Sequence, residues 1–141
     1  MAFTNPDPDE LCKILRSVHT IAVVGLSPNP SRPSFQVARA LQMRGYRIVP
    51  IRPFVKEVLS EAAYANLECL PFKVDIVQVF RAPEHVPGIV ASCIKMGVPR
   101  IWLQDGVVNE EAAQQALAAG INLVMNRCML RDLLAICDKT K

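Results

Sequence analysis

The sequence predicts an α/β protein with a Rossmann-like, doubly wound and mostly parallel sheet of five main strands and with helices on both faces. Short apolar runs rich in valine and isoleucine alternate with helical segments, which is the pattern of βαβ units. Some of these runs have no polar alternation, as expected for strands that are covered on both faces. We therefore expect right-handed crossovers and the strand order 3-2-1-4-5-6, with strand 3 reduced.

In the first half of the chain, capping residues and glycines indicate where the elements begin and end. Asp7 and Pro8 mark the start of a helix that we expect to be an accessory cap on the sheet. Gly25 ends the first strand, and Gly45 ends the helix that follows. The predicted elements are a helix near 9–17, a strand over 21–25, a helix over 34–44, a strand over 46–51 and a short edge strand near Val58.

The second half of the chain carries clearer helix starts and stops. Gly97 terminates one helix, and Asn109, followed by two glutamates, caps the next. Trp102 is expected in the core, where its indole N–H needs a partner. The predicted elements are a strand over 74–80, a helix from Glu84 or Val86 to Met96, a strand over 100–104, a helix from Asn109 to Gly120, a strand over 122–126 and a helix over 128–137.

Length and composition predict a single domain over residues 1–141. The chain is 51% hydrophobic and 21% charged, which is typical of a packed protein, and its length leaves no room for a second, substrate-carrying domain. No apolar run is long enough for a membrane span and no signal pattern is evident, so we expect a cytoplasmic protein without a membrane partner. A net charge of +3 is too small to indicate nucleic-acid binding.

The cysteine pattern indicates neither a disulfide framework nor a zinc site. The count is odd and no CxxC spacing occurs, so most of the cysteines are expected to be reduced core or helix-face residues. His19 and His85 also lack partners at metal-ligand spacing. The five cysteines are Cys12, Cys69, Cys93, Cys128 and Cys137.

The loop after the first strand carries a functional signal. Of the G-x-G-x-x-G pattern of nicotinamide-binding domains only Gly25 is present, so a pyrophosphate would need other donors. Pro33 can begin the next helix, whose free N–H groups then face an anion. The alternative is a proline-rich turn that merely links strand and helix. Candidate donors in the loop are Ser27, Asn29, Ser31, Arg32 and Ser34.

Basic residues concentrate in the first part of the chain. Between residues 11 and 56 there are eight lysines or arginines and no acidic residue. Arg39, Arg44 and Arg47 are interpreted as solvating a helix and its exit. Arg32 and Arg52 follow strands, and a functional role is favoured for both.

The residue types at the end of the second strand indicate which nucleotide the chain binds. An NAD site has an acidic residue there to hold the ribose hydroxyls, whereas this chain has Arg52 followed by Pro53. Arg52, or Lys56 nearby, would attract the extra phosphate of NADP or of coenzyme A (CoA). Because no substrate domain and no hydride-transfer residues are evident, CoA is favoured over NADP.

Two further strand exits contribute candidates. Phe80 is interpreted either as a wall under a ligand ring or, equally, as a core residue. Arg81 is a candidate for a second anion contact. Gln104 and Gly106 end the next strand, where Gly106 also suits a tight turn.

Four segments carry a family resemblance: A-V-V-G-L-S-P-N-P-S-R-P-S (22–34), G-Y-R-I-V-P-I-R-P (45–53), V-D-I-V-Q-V-F-R (74–81), and W-L-Q-D-G-V-V-N-E-E-A (102–112) with M-N-R-C (125–128). They resemble small stand-alone CoA-binding proteins related to the N-terminal CoA-binding domain of the succinyl-CoA synthetase alpha subunit. The resemblance implies that the loop 25–34 holds the CoA phosphates, that the second-strand exit holds the adenylate end, and that the next two exits hold the rest. It implies binding and no particular reaction.

Three positions depart from the pattern of that family. Arg52 stands where a small polar residue is usual, and Asp105 stands where W-L-Q-x-G has an apolar residue. Asn126 replaces the acid of M-D-R-C. This chain therefore offers an amide, and no carboxylate, at position 126.

The favoured function is a non-catalytic binding or regulatory module for CoA or an acyl-CoA. No Ser/His/Asp constellation and no GxxxxGKS loop occurs, so catalysis is less favoured. One alternative is an NADP-type oxidoreductase fragment that acts with a partner chain. Another is a redox protein in which Cys128, beside Arg127 at the start of the final helix, exchanges disulfides with the CoA thiol. The competing interpretation of Cys128 is an inert core residue.

Overall fold

The computed structural model describes residues 2–137, in which helices and strands alternate. Their bounds are α1 Pro8–Ser17, β1 Thr20–Val24, α2 Pro33–Met43, β2 Arg47–Ile51, β3 Glu57–Val58, β4 Glu61–Ala62, β5 Ile76–Val79, α3 Val86–Met96, β6 Arg100–Leu103, α4 Glu110–Ala118, β7 Asn122–Val124 and α5 Met129–Asp132. A π-helical segment, Leu133–Cys137, continues α5. The predicted caps are present: Asp7 Oδ1 accepts from Glu10 N and Asn109 Oδ1 from Ala112 N, each at 2.9 Å.

Five strands form one parallel sheet in the order β2-β1-β5-β6-β7, which confirms the predicted fold class. The segment near Val58, expected as a reduced third strand of that sheet, instead forms an antiparallel hairpin with β4. The reason is its turn: Leu59 and Ser60 both have positive φ angles, and two such residues in succession join antiparallel strands. A parallel bridge between Ile51 and Tyr64 continues the main sheet beyond β2.

Alternate residues of the strands pack on opposite faces of the sheet. Ile21 and Val23 of β1 face a cluster built with α1, α2 and α5, whereas Ala22 and Val24 face a cluster built with α3 and α4. Both faces are therefore covered, as the unbroken apolar runs predict. Trp102 is fully buried, and its Nε1–H donates to the backbone oxygen of Arg127 at 2.8 Å.

Helix α1 is part of the core rather than the accessory cap that the sequence suggests. Its buried residues Leu11, Ile14 and Leu15 pack into the cluster on the α2 and α5 face. A disulfide joins Cys12 on α1 to Cys137 at the end of the π-helical segment. The sequence does not predict this pairing, because the two residues lie 125 positions apart and become neighbours only when both ends of the chain pack on one face. The free cysteines are Cys69, Cys93 and Cys128.

The last strand, β7, ends at Val124, earlier than predicted. Asn5 from the N-terminal segment then bonds the next residue, with Asn5 Oδ1 accepting from Met125 N at 2.8 Å and Asn5 Nδ2 donating to Met125 O at 2.9 Å. Asn126 follows with a φ of 61°, a conformation that asparagine tolerates better than most residues. Its Oδ1 accepts from Gly106 N at 2.7 Å. The amide at position 126 thus holds the turn after β6.

The described part of the chain has neither a membrane-spanning helix nor a cluster of metal ligands. No helix within residues 2–137 has both the length and the apolar character needed to cross a membrane. Over the same residues, no three His, Cys, Asp or Glu side chains come together where they could hold a metal ion.

Candidate functional site

The carboxyl ends of four neighbouring strands meet at one edge of the sheet. The strand register pairs Val24 with Ile51 and with Val79, and it pairs Val79 with Leu103. The residues directly after these strand ends therefore form a row, in the order Arg52, Gly25, Phe80, Gln104. With about 4.8 Å between strands, the row spans roughly 14 Å. Sheets of this topology bind their ligands at this edge.

A cavity of about 920 Å³ lies along this row, which is the size of a pocket for a nucleotide-like ligand. Ten residues predicted as ligand contacts line it: Gly25, Ser27, Arg32, Pro33, Ser34, Arg52, Pro53, Phe80, Arg81 and Gln104. The predicted contacts Asn29, Lys56 and Gly106 are not part of the lining. Cys128, which the sequence suggests as an alternative partner of the CoA thiol, also lines the cavity. The remaining lining residues, not predicted as ligand contacts, are Val37, Ile51, Phe54, Asp105 and Val107.

Gly25 allows the loop after β1 to pass close to the end of β5. Its φ is +85°, and a Cβ atom at this position would lie 2.5 Å from the backbone oxygen of Phe80 and 2.9 Å from Cδ of Arg81. The N–H of Gly25 donates to the backbone oxygen of Ile51 at 3.0 Å. Only glycine combines this conformation with this close approach.

Hydrogen bonds between its own residues shape the loop 25–34. Ser34 Oγ accepts from Ser27 N at 3.0 Å, and Ser27 Oγ accepts from Asn29 N at 3.1 Å. Asn29 Oδ1 accepts from both the N–H and the hydroxyl of Ser31, at 3.0 and 2.9 Å. Asn29 Oδ1 therefore helps to hold the loop together. The loop is ordered by these bonds before any ligand arrives.

Three arginines give the cavity its charge. Arg32 is the N-cap residue of α2, Arg52 follows β2, and Arg81 follows Phe80 at the end of β5. Within residues 2–137, none of the three side chains has a carboxylate or another hydrogen-bond partner. Unpaired guanidinium groups in a concave site attract anions, and their planar fork binds a phosphate through two hydrogen bonds.

The acidic residue in the lining, Asp105, does not offset these charges, because Arg131 neutralises it. Arg131 Nη1 and Nη2 each donate to a carboxylate oxygen of Asp105 at 2.8 Å, and these hydrogen bonds lower the pKa of Asp105. Arg127 is paired in the same way with the buried Asp132, through Nε at 2.6 Å and Nη2 at 2.9 Å. The hydrogen bonds to Asp132 raise the pKa of Arg127.

Gln104 presents a hydrogen-bond donor to the cavity from a fixed position. The residue is only 4% exposed, and its Oε1 accepts from Gln78 Nε2 at 2.9 Å and from Met129 N at 3.0 Å. Because a backbone N–H needs an acceptor, Met129 determines which end of the amide is the oxygen. In the described part of the chain Gln104 Nε2 has no acceptor. It is thus available to a carbonyl group of a ligand.

Cys128 lies at the same end of the cavity as Gln104. It is half-buried and free, and it directly precedes Met129, whose N–H bonds to Gln104. The guanidinium of Arg127, which precedes this thiol in the sequence, is hydrogen-bonded to Asp132.

Phe54 is the most informative residue that the sequence reasoning missed. Its side chain is fully exposed at the cavity wall and its φ is 65°, which is rare for a bulky residue. An aromatic ring in this place offers a stacking surface to a planar group. Its position in the sequence, directly after Arg52 and Pro53 at the end of β2, could have identified it as a candidate. Val37 and Val107 carry no such signal, since apolar residues look alike in a cavity wall and in a core.

The site lies within a segment that matches a known domain family. Residues 19–133 match the family described as CoA binding domain. The chain belongs to this family. The match confirms the resemblance that the segments 22–34 and 102–112 indicate.

Relatives of this CoA-binding domain occur both as small proteins and within longer chains. YneT of Bacillus subtilis (strain 168), described as an uncharacterized protein, is 39% identical over 125 residues, which are 89% of this chain and 93% of YneT. A hypothetical protein from Pyrococcus horikoshii OT3 matches with a TM-score of 0.89 and 33% identity over 96% of this chain and 99% of the other. The apo form of the dinucleotide-forming acetyl-coenzyme A synthetase 1 of Ca. Korarchaeum cryptofilum matches with a TM-score of 0.65 and 27% identity, over 74% of this chain and 25% of the synthetase.

Proposed function

We propose that this CoA-binding domain binds CoA, free or acylated, at the carboxyl edge of its sheet and acts as a binding or regulatory module. The observation that carries the proposal is the set of three arginines that line the cavity without a partner among residues 2–137: Arg32, Arg52 and Arg81. CoA carries a pyrophosphate and a ribose phosphate, which together supply matching negative charge. Membership of the family supports the same ligand.

The two ends of the cavity differ in charge, as do the two ends of CoA. The exits of β2, β1 and β5 carry the arginines, whereas the neutral Gln104 and Val107 follow β6 and the neutral Cys128 follows β7. The phosphorylated adenylate end suits the basic side, with Phe54 beside Arg52 as a surface for the adenine ring. The uncharged pantetheine arm, with its amide groups, suits the side of Gln104.

NADPH is the competing ligand, because Arg52 would also attract a phosphate on its ribose. The loop after β1 disfavours NADPH. Ser27 and Pro30 stand where the nicotinamide-binding pattern has its second and third glycines. The second of these glycines lets the backbone approach a pyrophosphate closely, so CoA, held by arginine side chains, fits the loop better.

Arginine variants test the proposal by calorimetry. Arg52→Gln is expected to weaken CoA binding by about 1–3 kcal/mol, the scale of a charge-assisted hydrogen bond, and to leave dephospho-CoA almost unaffected. Arg32→Gln is expected to weaken both ligands, because it contacts the pyrophosphate. Arg39→Gln is the matched control, since Arg39 is exposed on α2 and does not line the cavity.

Two results would contradict these roles. Equal affinities of the wild-type protein for CoA and dephospho-CoA would remove the role of Arg52. Arg32 is exposed, so the melting temperature of the ligand-free Arg32→Gln protein should stay close to that of the wild type. A large fall would instead identify the loop as a structural linker.

A further inference from the structure

We propose that Cys128 forms a reversible mixed disulfide with CoA bound in this cavity, so that the domain holds CoA covalently when a disulfide of CoA is present. The inference rests on the proposed function and adds to it a reactive residue and a covalent step. Its basis is one end of the cavity, whose lining includes both the free thiol of Cys128 and the amide of Gln104.

The amide donor of Gln104 indicates that a ligand binds at this end of the cavity. Gln104 is almost wholly buried, its oxygen is held by two donors, and its Nε2 faces the cavity without an acceptor among residues 2–137. One of the two donors is the N–H of Met129, the residue next to Cys128. A ligand carbonyl bound to Gln104 is therefore also beside the thiol.

The structure of CoA fits this pair of groups. The last amide carbonyl of its pantetheine arm is separated from the sulfur by one N–H and a two-carbon chain. With the phosphates at the arginines, that arm runs along the row of strand ends from Arg52 towards Gln104. A carbonyl that accepts from Gln104 Nε2 then leaves the sulfur within reach of Cys128.

The covalent step is a thiol–disulfide exchange with CoA disulfide. The thiolate of Cys128 attacks one sulfur, a bond forms between Cys128 Sγ and that CoA, and the original sulfur–sulfur bond breaks. The second CoA leaves as a thiolate and takes up the proton that Cys128 has lost. One disulfide is consumed and one is formed, so no further oxidant is needed.

Binding of the disulfide in the cavity accelerates this exchange. Both arginines closest in sequence, Arg127 and Arg131, are paired with carboxylates. A disulfide held in the cavity reacts as if present at a much higher concentration than in solution. The reaction should therefore be specific for disulfides that contain CoA.

The other cysteines do not share this setting. Cys93 is buried against the sheet, and burial raises the pKa of its thiol to about 12. Cys69 is exposed but lies outside the cavity lining, and Cys12 and Cys137 are joined to each other. Modification by CoA should therefore be confined to Cys128.

The experiment combines mass spectrometry with calorimetry on the whole protein. After incubation with CoA disulfide, non-reducing peptide mapping should find one CoA adduct, on Cys128, and a reductant should remove it. Cys128→Ser should carry no adduct, whereas the matched variant Cys69→Ser should react like the wild type. Glutathione disulfide at the same concentration should modify Cys128 at least about tenfold more slowly. Saturation with S-methyl-CoA, which has no thiol, should protect Cys128.

The outcomes separate the two proposals. If calorimetry shows that CoA binds but Cys128 stays unmodified, or reacts no faster with CoA disulfide than with glutathione disulfide, the covalent step is overturned and the binding function stands. If CoA does not bind at all, the proposed function fails and this inference fails with it.

Discussion

At Gly25 a single hydrogen in place of a side chain allows the loop to reach the cavity. The expected effect of Gly25→Ala is a loss of at least about 1 kcal/mol in the free energy of unfolding, since alanine disfavours the positive φ and its Cβ would approach the Phe80 oxygen to 2.5 Å. CoA affinity should also fall, because the loop must shift. Urea unfolding and calorimetry measure the two effects.

Gly88 supplies the control for this substitution. It lies in α3, and a Cβ atom there would meet no atom within 4 Å other than those of its chain neighbours and its own helix backbone. Gly88→Ala should leave CoA affinity unchanged and raise stability by about 0.5–1 kcal/mol, the helix preference of alanine over glycine. If Gly25→Ala were as stable as Gly88→Ala, the close approach at Gly25 would not matter.

The exposed ring of Phe54 leads to a prediction about the adenylate end of CoA. Phe54→Ala should reduce CoA affinity by about 1–3 kcal/mol, the effect of losing a base-stacking partner, without changing affinity for 4′-phosphopantetheine, which has no adenine. Titration calorimetry with both ligands provides the comparison. Met43, an exposed apolar residue on α2 outside the lining, gives the control Met43→Ala. An equal loss for both ligands would place the adenine elsewhere.

Residue types at strand exits could be predicted from the sequence, whereas their partners could not. Gly25, Arg32 and Arg52 could be identified because each follows a strand in a fold that binds ligands at this edge. The pairing of Arg127 with Asp132 could not, since it depends on how α5 folds back. Arg127, which precedes Cys128 in the sequence, is hydrogen-bonded to a carboxylate that the sequence pattern does not indicate.

Among the elements, the starts of β1 and β5 are tied by one carboxylate. Asp75 Oδ2 accepts from Thr20 N at 2.9 Å and from His19 N at 2.8 Å. The hydrogen bond from Thr20, then that from His19 and the nearby charge of Arg100, lower the pKa of Asp75 below its ordinary value near 3.8. In the folded state the group therefore holds its proton less tightly than in the unfolded state.

The sign of this shift determines a pH dependence. The stabilisation is fully present above the ordinary pKa and is lost as the pH falls through the lower folded value, because the unfolded chain then binds the proton more strongly. Asp75→Asn should thus be less stable than the wild type at about pH 7, and the difference should shrink at about pH 2.5. Urea unfolding at both pH values checks this. A difference that stayed constant with pH would show that the charge of Asp75 contributes nothing.

Elements with strong local signals agree with the prediction, and those set by distant contacts do not. Helices α1 and α4 begin at the predicted caps, and β1 and β6 agree with their apolar runs. The hairpin of β3 and β4 was missed because Leu59 and Ser60 are not residues that usually adopt positive φ. The early end of β7 was missed because its partner, Asn5, lies 120 residues away.

At the scale of the whole molecule, the fold explains why the candidate site is where it is. The parallel strands bring four exits to one edge, and the chain places arginines at three of them and neutral groups at the fourth. This polarity of the cavity follows from sequence order alone once the strand order is known. Its neutral end could be described only in part, because Gln104 and Cys128 stand out in the sequence, whereas an apolar lining residue such as Val107 does not.

A calorimetric titration of the wild-type protein with CoA and with NADH, under identical conditions, tests this account most directly. The unpaired arginines and the loop without the second and third glycines predict micromolar-range affinity for CoA and markedly weaker binding of NADH, which has no phosphate on its ribose hydroxyls. Tighter binding of NADH than of CoA would contradict it.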